Sequence, residues 1–236
     1  MFVKSTDSTN TLLKQLAAEG NPPEFIYASF QTAGRGQTGN SWESEEGKNL
    51  LCSILLPPRK NLFELNVAVS VAVLRILGED FTIKWPNDIY WKDKKVAGIL
   101  IENAIVGSEV KYSIAGIGLN VNQTEWKSDA PNPVSLKQIY GTNFVVDELM
   151  DKLYAEVKKV LKKDVWEEYK THLYRRDGIW PFAERVVSLL PSRILMEKPE
   201  NAFMASIEDI TPQGEMVLRT DHGVKKYHFK EIQFVL

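Results

Sequence analysis

Lys84-Trp85-Pro86-Asn87-Asp88-Ile89, followed seven residues after Asp88 by Lys95-Val96-Ala97-Gly98-Ile99-Leu100-Ile101-Glu102, is the stretch on which the reading of this chain turns. A short strand, Phe81 to Trp85, stops at Pro86, which has no N–H with which to continue a ladder. The chain then exposes an amide and a carboxylate. It turns through Trp91-Lys92-Asp93-Lys94 and returns as a strand that carries a glycine and has a lysine at its mouth. Asp88 and Lys95 thereby come to face one another. The same residues also describe an ordinary charged hairpin, because Pro-Asn-Asp is a common turn composition, and this stretch alone does not choose between the two.

Working outward, Lys111 to Val121 reads as the next strand, joined to Val96–Glu102 through a turn around Gly107-Ser108, and the pair suits a hairpin in the centre of a sheet. Upstream, Leu65 to Leu77 is apolar enough for a mostly buried helix, and Leu50 to Leu56 is a strand ended by Pro57-Pro58. Phe25 to Gln31 is a strand that delivers a loop, Thr32 to Lys48, holding four glycines. Ser8-Thr9-Asn10 sits at the N-terminal end of a helix whose Leu12, Leu13, Leu16 and Ala17 share one face. Downstream, Val146, Leu149, Leu153, Val157, Val160 and Leu161 have helical spacing. Beyond Arg185, Val186–Leu190, Phe203–Ile210, Met216–Arg219 and Lys225–Phe229 are short strands between turn residues, the pattern of a small β barrel or sandwich. The expected organisation is a first domain over residues 1–185 and a small β domain over 186–236.

Length and charge limit the function classes. The 236 residues suffice for one large domain, or one large and one small, with a substantial core. Twenty-nine basic residues against thirty-one acidic ones leave −2, which excludes a globally basic nucleic-acid-binding surface. Lys158, Lys159, Lys162 and Lys163 form a basic helix face, but Glu148, Asp151, Glu156, Asp164 and Glu167 are mixed in, so a solvated face is the better reading. Cys52 is the only cysteine and reads as a buried strand thiol in a reducing compartment. No apolar run suits a signal peptide or membrane span, so the chain reads as cytoplasmic. His172, His222 and His228 are too dispersed for a metal site, and Trp85, Trp91, Trp126, Trp166 and Trp180 read as packing residues.

Two more segments carry chemistry-bearing residues. In the loop Gln31-Thr32-Ala33-Gly34-Arg35-Gly36-Gln37-Thr38-Gly39-Asn40-Ser41-Trp42, glycines let backbone N–H groups close on an anion. Arg35 supplies a forked cation and Trp42 a flat face, although glycines are also common in plain surface loops. Gly116-Ile117-Gly118-Leu119-Asn120-Val121-Asn122 places glycines inside an apolar strand, marking either a bulge or a close approach by a ligand.

Together and in this order, Ser8-Thr9-Asn10, Gln31 with the glycine loop, the Lys84–Asp88 and Lys95–Glu102 segments and Gly116–Asn122 closely resemble the biotin protein ligases, in the short form without an N-terminal DNA-binding domain. The resemblance implies an α/β (α+β) fold, a class II synthetase-like mixed sheet flanked by helices and followed by an SH3-like barrel. It implies biotin, ATP and Mg²⁺ as ligands, a biotin carboxyl carrier protein domain as partner, and no specific DNA binding. By resemblance, Arg35, Asp88 and Lys95 are catalytic. Ser8, Thr9, Asn10, Gln31, Arg35, Lys95, Gly98 and Gly116 bind biotin, and Gly34, Gly36, Trp42, Asn87 and Asn120 bind ATP. Arg35 and Lys95, helped by Mg²⁺, would offset repulsion between a carboxylate and a polyphosphate, with Lys48 a weaker candidate. Asp88 would orient the attacking carrier lysine.

The loop departs from the family's frequent Gly-Arg-Gly-Arg-Arg-Gly in having Gln37, Thr38 and Asn40 after Arg35, and so offers a phosphate fewer guanidinium contacts. The sequence marks no metal ligands, and it is compatible with a homodimer. A lipoate–protein ligase is the alternative enzyme, and a nucleic-acid-binding module the alternative of another class.

Overall fold

The computed structural model describes residues 1–37, 40–128, 130, 132–185 and 202–235. Seven strands, β1 (Phe2–Thr6), β2 (Phe25–Gln31), β3 (Leu50–Leu56), β4 (Phe81–Lys84), β5 (Asp88–Trp91), β6 (Lys94–Val106) and β7 (Glu109–Leu119), form one sheet in the order β1-β2-β3-β7-β6-β5-β4. Only β1 and β2 pair in parallel, so the sheet is mixed. The central hairpin is β6–β7, as its apolar runs suggest. Two strands were not expected from sequence: β1, and β5, which begins at the carboxylate of the Pro-Asn-Asp turn.

Helices cover both faces of this sheet. From Leu65 to Leu74, α2 (Phe63–Leu77) is buried almost without interruption. A helix apolar all round must be covered all round. It lies on the core face of β4–β6 and is backed by α4 (Val146–Val160) and α5 (Trp166–Thr171). On the opposite face, α1 (Thr9–Ala18) buries Leu13 against Ile26 of β2 and Ile114 of β7. A short α3 (Leu136–Tyr140) opens with a capping box between Ser135 and Gln138 and was not expected from sequence.

The second sheet is antiparallel, with β8 (Trp180–Glu184), β9 (Ala202–Ile210), β10 (Met216–Thr220), β11 (Gly223–Tyr227) and β12 (Ile232–Phe234) in the order β11-β10-β9-β8-β12. Its strand β8 lies ahead of residue 185, where composition alone placed the boundary, while the strand expected at 186–190 lies outside the described residues. The two sheets meet at Trp85. Its indole N–H donates to the Gly214 carbonyl at 3.1 Å, and its ring meets Phe229 edge-on at 5.8 Å. Gly214 has φ +89°, and a Cβ there would overlap the Phe63 ring, so a side chain is excluded on two counts.

The helical layer is tied by one arginine. Arg75, in the last turn of α2, donates to both oxygens of Glu168 on α5, at 2.7 and 2.5 Å, and to Glu156 on α4 at 3.0 Å. Arg75 holds the Glu168 carboxyl below its ordinary range, and Lys159 with Arg75 does the same for Glu156. A carboxylate with a depressed folded pKa stabilises the fold above its unfolded pKa, and that contribution is lost as pH falls through the folded value. Arg75→Met should therefore lower unfolding free energy by about 1 kcal/mol at neutral pH. In urea melts the gap to wild type should close as pH falls from about 7 to about 3. A gap independent of pH would show that Arg75 acts through packing alone.

Candidate active site

Strand alternation decides what faces the candidate site. On β7, Ala115, Ile117 and Leu119 enter the core beneath α2, which turns Ile114, Gly116 and Gly118 to the other face. On β6, Ala97 and Ile99 are core residues and Gly98, Leu100 and Glu102 face outward. Register sets Gly98 opposite Gly118, and Ser53 of β3 opposite Gly116. The three glycines leave a bare track on the sheet, and a cavity of ≈450 Å³ opens over it, bounded on one side by the second sheet.

Side chains lie directly on the track. A Cβ at Gly116 would overlap the Asn10 amide, whose Cγ is 2.9 Å from that point. A Cβ at Gly98 would come within 2.8 Å of Trp42 Cζ3, and one at Gly118 would overlap the same indole. Asn10 is fixed by Ser53, which donates to its Oδ1 at 2.5 Å, and by donation from its own Nδ2 to Glu102 at 2.8 Å. Thr9 donates to Gln31 Oε1 through its backbone N–H at 2.8 Å and its hydroxyl at 3.1 Å. Ser8 begins α1 in extended conformation and makes no side-chain cap bond, leaving its hydroxyl to the cavity.

The charged groups cluster at the cavity's rim. Lys95 Nζ donates to Asp88 Oδ2 at 2.7 Å and lies 5.7 Å from the Trp42 ring centroid. Arg35 Nη2 donates to Glu102 at 3.1 Å and to Thr11 at 3.2 Å, and its loop is closed by the Gly36 N–H on Asn40 and the Trp42 N–H on Gly34. Asn87 donates to Asn66 at 2.7 Å. From the second-sheet side come Arg185, Lys230 and the Phe229 and Phe234 rings, and from the end of β4 comes Lys84. Among the described residues, five cationic side chains and one carboxylate, Asp88, line the cavity of a chain whose net charge is −2.

Most residues singled out from sequence converge here: Ser8, Thr9, Asn10, Gln31, Arg35, Gly36, Trp42, Asn87, Asp88, Lys95, Gly98 and Gly116 all line the cavity. Gly34 and Asn120 do not. Gly34 supports Trp42 from behind, and Asn120, 2 % exposed, donates to the Val134 and Lys95 carbonyls. Lys48 also lies outside the lining, and Gly39 falls outside the described residues. Cys52 is buried, and burial pushes its thiol up to about 12, an inert core sulfhydryl. Trp180 departs from the expected packing role, being 37 % exposed with Arg175 over its ring. Sequence reasoning missed Lys84, Arg185, Lys230, Phe229 and Phe234. Lys84 stood inside the quoted motif, whereas nothing local marked the others.

No cluster of His, Cys, Asp or Glu suited to a metal occurs among the described residues. Asp88 alone, already held by Lys95, does not make a protein cage for Mg²⁺. Among the described residues no helix is long and apolar enough to cross a membrane.

Comparison with known proteins agrees with this fold. The bifunctional ligase/repressor BirA of Bacillus subtilis is 30% identical over 232 residues, spanning 92% of this chain and 68% of BirA. The biotin–[acetyl-CoA-carboxylase] ligase of Mycobacterium tuberculosis is 27% identical, spanning 92% of this chain and 81% of its own. Among solved structures, the biotin protein ligase of Aquifex aeolicus in complex with biotin and ATP superposes with a TM-score of 0.78 at 26% identity, over 99% of this chain and 97% of that one. Residues 2–120, which supply the glycine track, the α1 terminus, the arginine loop and the Asp88–Lys95 pair, match the biotin/lipoate A/B protein ligase family, and the chain belongs to that family.

Proposed function

We propose that this chain activates biotin with ATP and transfers the biotinyl group to a lysine of a biotin carboxyl carrier protein domain. The observation that carries the reading is the cavity's division into two chemistries. One part is a glycine-floored slot edged by small polar groups, and the other a rim with five cations against one carboxylate. A weakly acidic chain that concentrates cations in a cleft focuses potential there for an anionic substrate.

In the first half-reaction a biotin carboxylate oxygen attacks the α-phosphorus of ATP. The bond to the β-phosphate bridge breaks, and pyrophosphate leaves with the electron pair. Arg35 and Lys95 offset the charge repulsion of that approach, about 4 kcal/mol per unit pair at 4 Å and an effective dielectric near 20. In the second, a neutral carrier lysine amine attacks the acyl carbon, the acyl C–O bond breaks so that AMP leaves with its electron pair, and the proton shed by the nitrogen passes by way of Asp88 to solvent. Asp88 orients that amine, exchanging Lys95 for the incoming nitrogen. Among the described residues, Trp42 Nε1 and Asn120 Oδ1 are both buried without partners, a donor and an acceptor suited to the edge of a purine.

Biotin is favoured over lipoate by the slot's polar edge. Among the described residues, the Ser8 hydroxyl and the Gln31 amide N–H have no protein partner, and a ureido head satisfies both where a dithiolane leaves them bare. Calorimetric titration should find biotin bound at least about a hundredfold more tightly than lipoate. Equal affinity would reassign the substrate.

Lys95→Ala should slow biotin-dependent pyrophosphate release at least about tenfold while leaving the thermal midpoint near wild type. A variant retaining half the wild-type rate would remove Lys95 from the reacting centre. Gly116→Ala should force the Asn10 amide off its bonds to Ser53 and Glu102 and weaken biotin binding by about tenfold or more. Unaltered biotin affinity would mean that Asn10 moves aside without consequence for the slot.

A further inference from the structure

Glu43 follows Trp42 in sequence but lies outside the cavity lining, and it takes no part in the steps above. Its carboxylate reaches from the arginine loop to the chain that leaves β7 and runs toward α3. Oε1 accepts the Lys127 N–H at 2.8 Å, and Oε2 accepts the Ser128 N–H at 2.7 Å. The Gln123 amide donates to Oε1 at 3.4 Å, while its oxygen accepts from the Glu45 N–H at 3.0 Å and from Asn49 at 2.6 Å. Gln123 and Asn49 are both buried, so the inner side of this seam is shut off from water. Partial burial alone would raise the Glu43 carboxyl. The hydrogen bonds from Ser128 and the Lys127 backbone, with the Lys127 charge, instead hold it below its ordinary range. The same chain goes on to bracket Lys95, whose N–H donates to the Asn132 carbonyl at 2.8 Å and whose carbonyl accepts the Val134 N–H at 2.9 Å. Trp42 and Lys95 then meet over one spot. The point that a Cβ on Gly98 would occupy is 2.8 Å from Trp42 Cζ3 and 3.2 Å from Lys95 Nζ.

We propose that Glu43 is a positioning residue, a clasp that ties Trp42 to the chain already bracketing Lys95 and so fixes the indole over Gly98. The inference rests on the reading of Trp42 as a wall of the nucleotide pocket. On its other side the Trp42 backbone is anchored by its own N–H on the Gly34 carbonyl at 2.9 Å, so the indole is held from before and after in the chain. Two neighbouring backbone N–H groups call for a partner that only accepts, and an ionised carboxylate presents one oxygen to each. A glutamine there would keep one acceptor and turn an N–H toward another N–H. Released from the clasp, the loop is free to carry the indole off the track, and a displacement of about 1 Å is enough to weaken a site of this kind severely.

The test uses the full chain with Glu43→Gln and Glu43→Ala, and with Trp42→Ala alone and combined with Glu43→Ala. Glu43→Ala should raise the KM for ATP about tenfold and leave that for biotin within about twofold, since Ser8, Thr9, Asn10 and Gln31 keep their places without it. In stopped flow, preformed biotinyl-5′-AMP should leave Glu43→Ala about tenfold faster than wild type. Glu43→Gln, with one acceptor kept, should fall between the two on both measures. Added to Trp42→Ala, Glu43→Ala should change neither measure by more than about twofold, because the indole it positions has gone. Losses that multiply in the double variant would overturn the proposal. So would wild-type ATP affinity and adenylate release in a folded Glu43→Ala, even with a lowered thermal midpoint, for Glu43 would then only anchor a loop. If Glu43→Ala and Glu43→Gln both fail to fold, Glu43 is a structural residue and the proposal falls. Wild-type ATP affinity in Trp42→Ala refutes the reading of Trp42 itself, a result separate from the behaviour of the single Glu43 variants.

Discussion

Side chains on β6 and β7 alternate across the main sheet, and on the face away from α2 three of them are absent, at Gly98, Gly116 and Gly118. The core face of the same strands is fully furnished, with Ala97, Ile99, Ala115, Ile117 and Leu119 buried beneath the helices. That asymmetry lets one pair of strands hold the core on one side and accept close neighbours on the other. The Asn10 amide and the Trp42 indole come down onto backbone where any Cβ would collide. The α1 terminus and the arginine loop take their positions from those two contacts. A shift of one residue in the β6–β7 register would turn core residues toward the cavity and the glycines into the core, so the site and the core are specified by one alignment.

Much of this was legible in the chain because it is local. Phe25–Gln31 and Leu50–Leu56 are short apolar runs bounded by prolines or glycines, and they fold as strands over those spans. The buried helix announces itself by continuous Ala, Val and Leu. What escaped was short or hidden by a competing signal. β1 has only a weak alternation in Phe2-Val3-Lys4-Ser5-Thr6, and Asn87-Asp88 reads as a turn although β5 starts there. β12 is three residues long and is recruited by pairing with β8.

The site divides in the same way. Gly98, Lys95 and Asp88 lie within one hairpin, so spacing alone could bring them together. Arg185 and Lys230 reach the cavity only because the second sheet docks on Trp85, whose bond to Gly214 joins residues 129 positions apart. No window of sequence contains that information. It arises from two surfaces meeting, and sequence patterns report surfaces only through the residues they bury.

The contrast between two basic residues shows how the fold separates structure from chemistry. Arg75 has three N–H groups bonded to two glutamates, and its charge is saturated between helices far from the cavity. Lys84, half-buried where Arg75 is exposed, faces aromatic rings and a hydroxyl where a carboxylate would have stabilised it. A glutamate at Tyr90 or Phe234 would supply that stabilisation, and it would also neutralise the positive potential an anion needs on entering. Leaving Lys84 unpaired makes the empty cavity less stable and the occupied one correspondingly more so. Any anion bound there stabilises the folded chain by mass action and, because Phe234 belongs to the second sheet, strengthens the junction between the sheets at the same time.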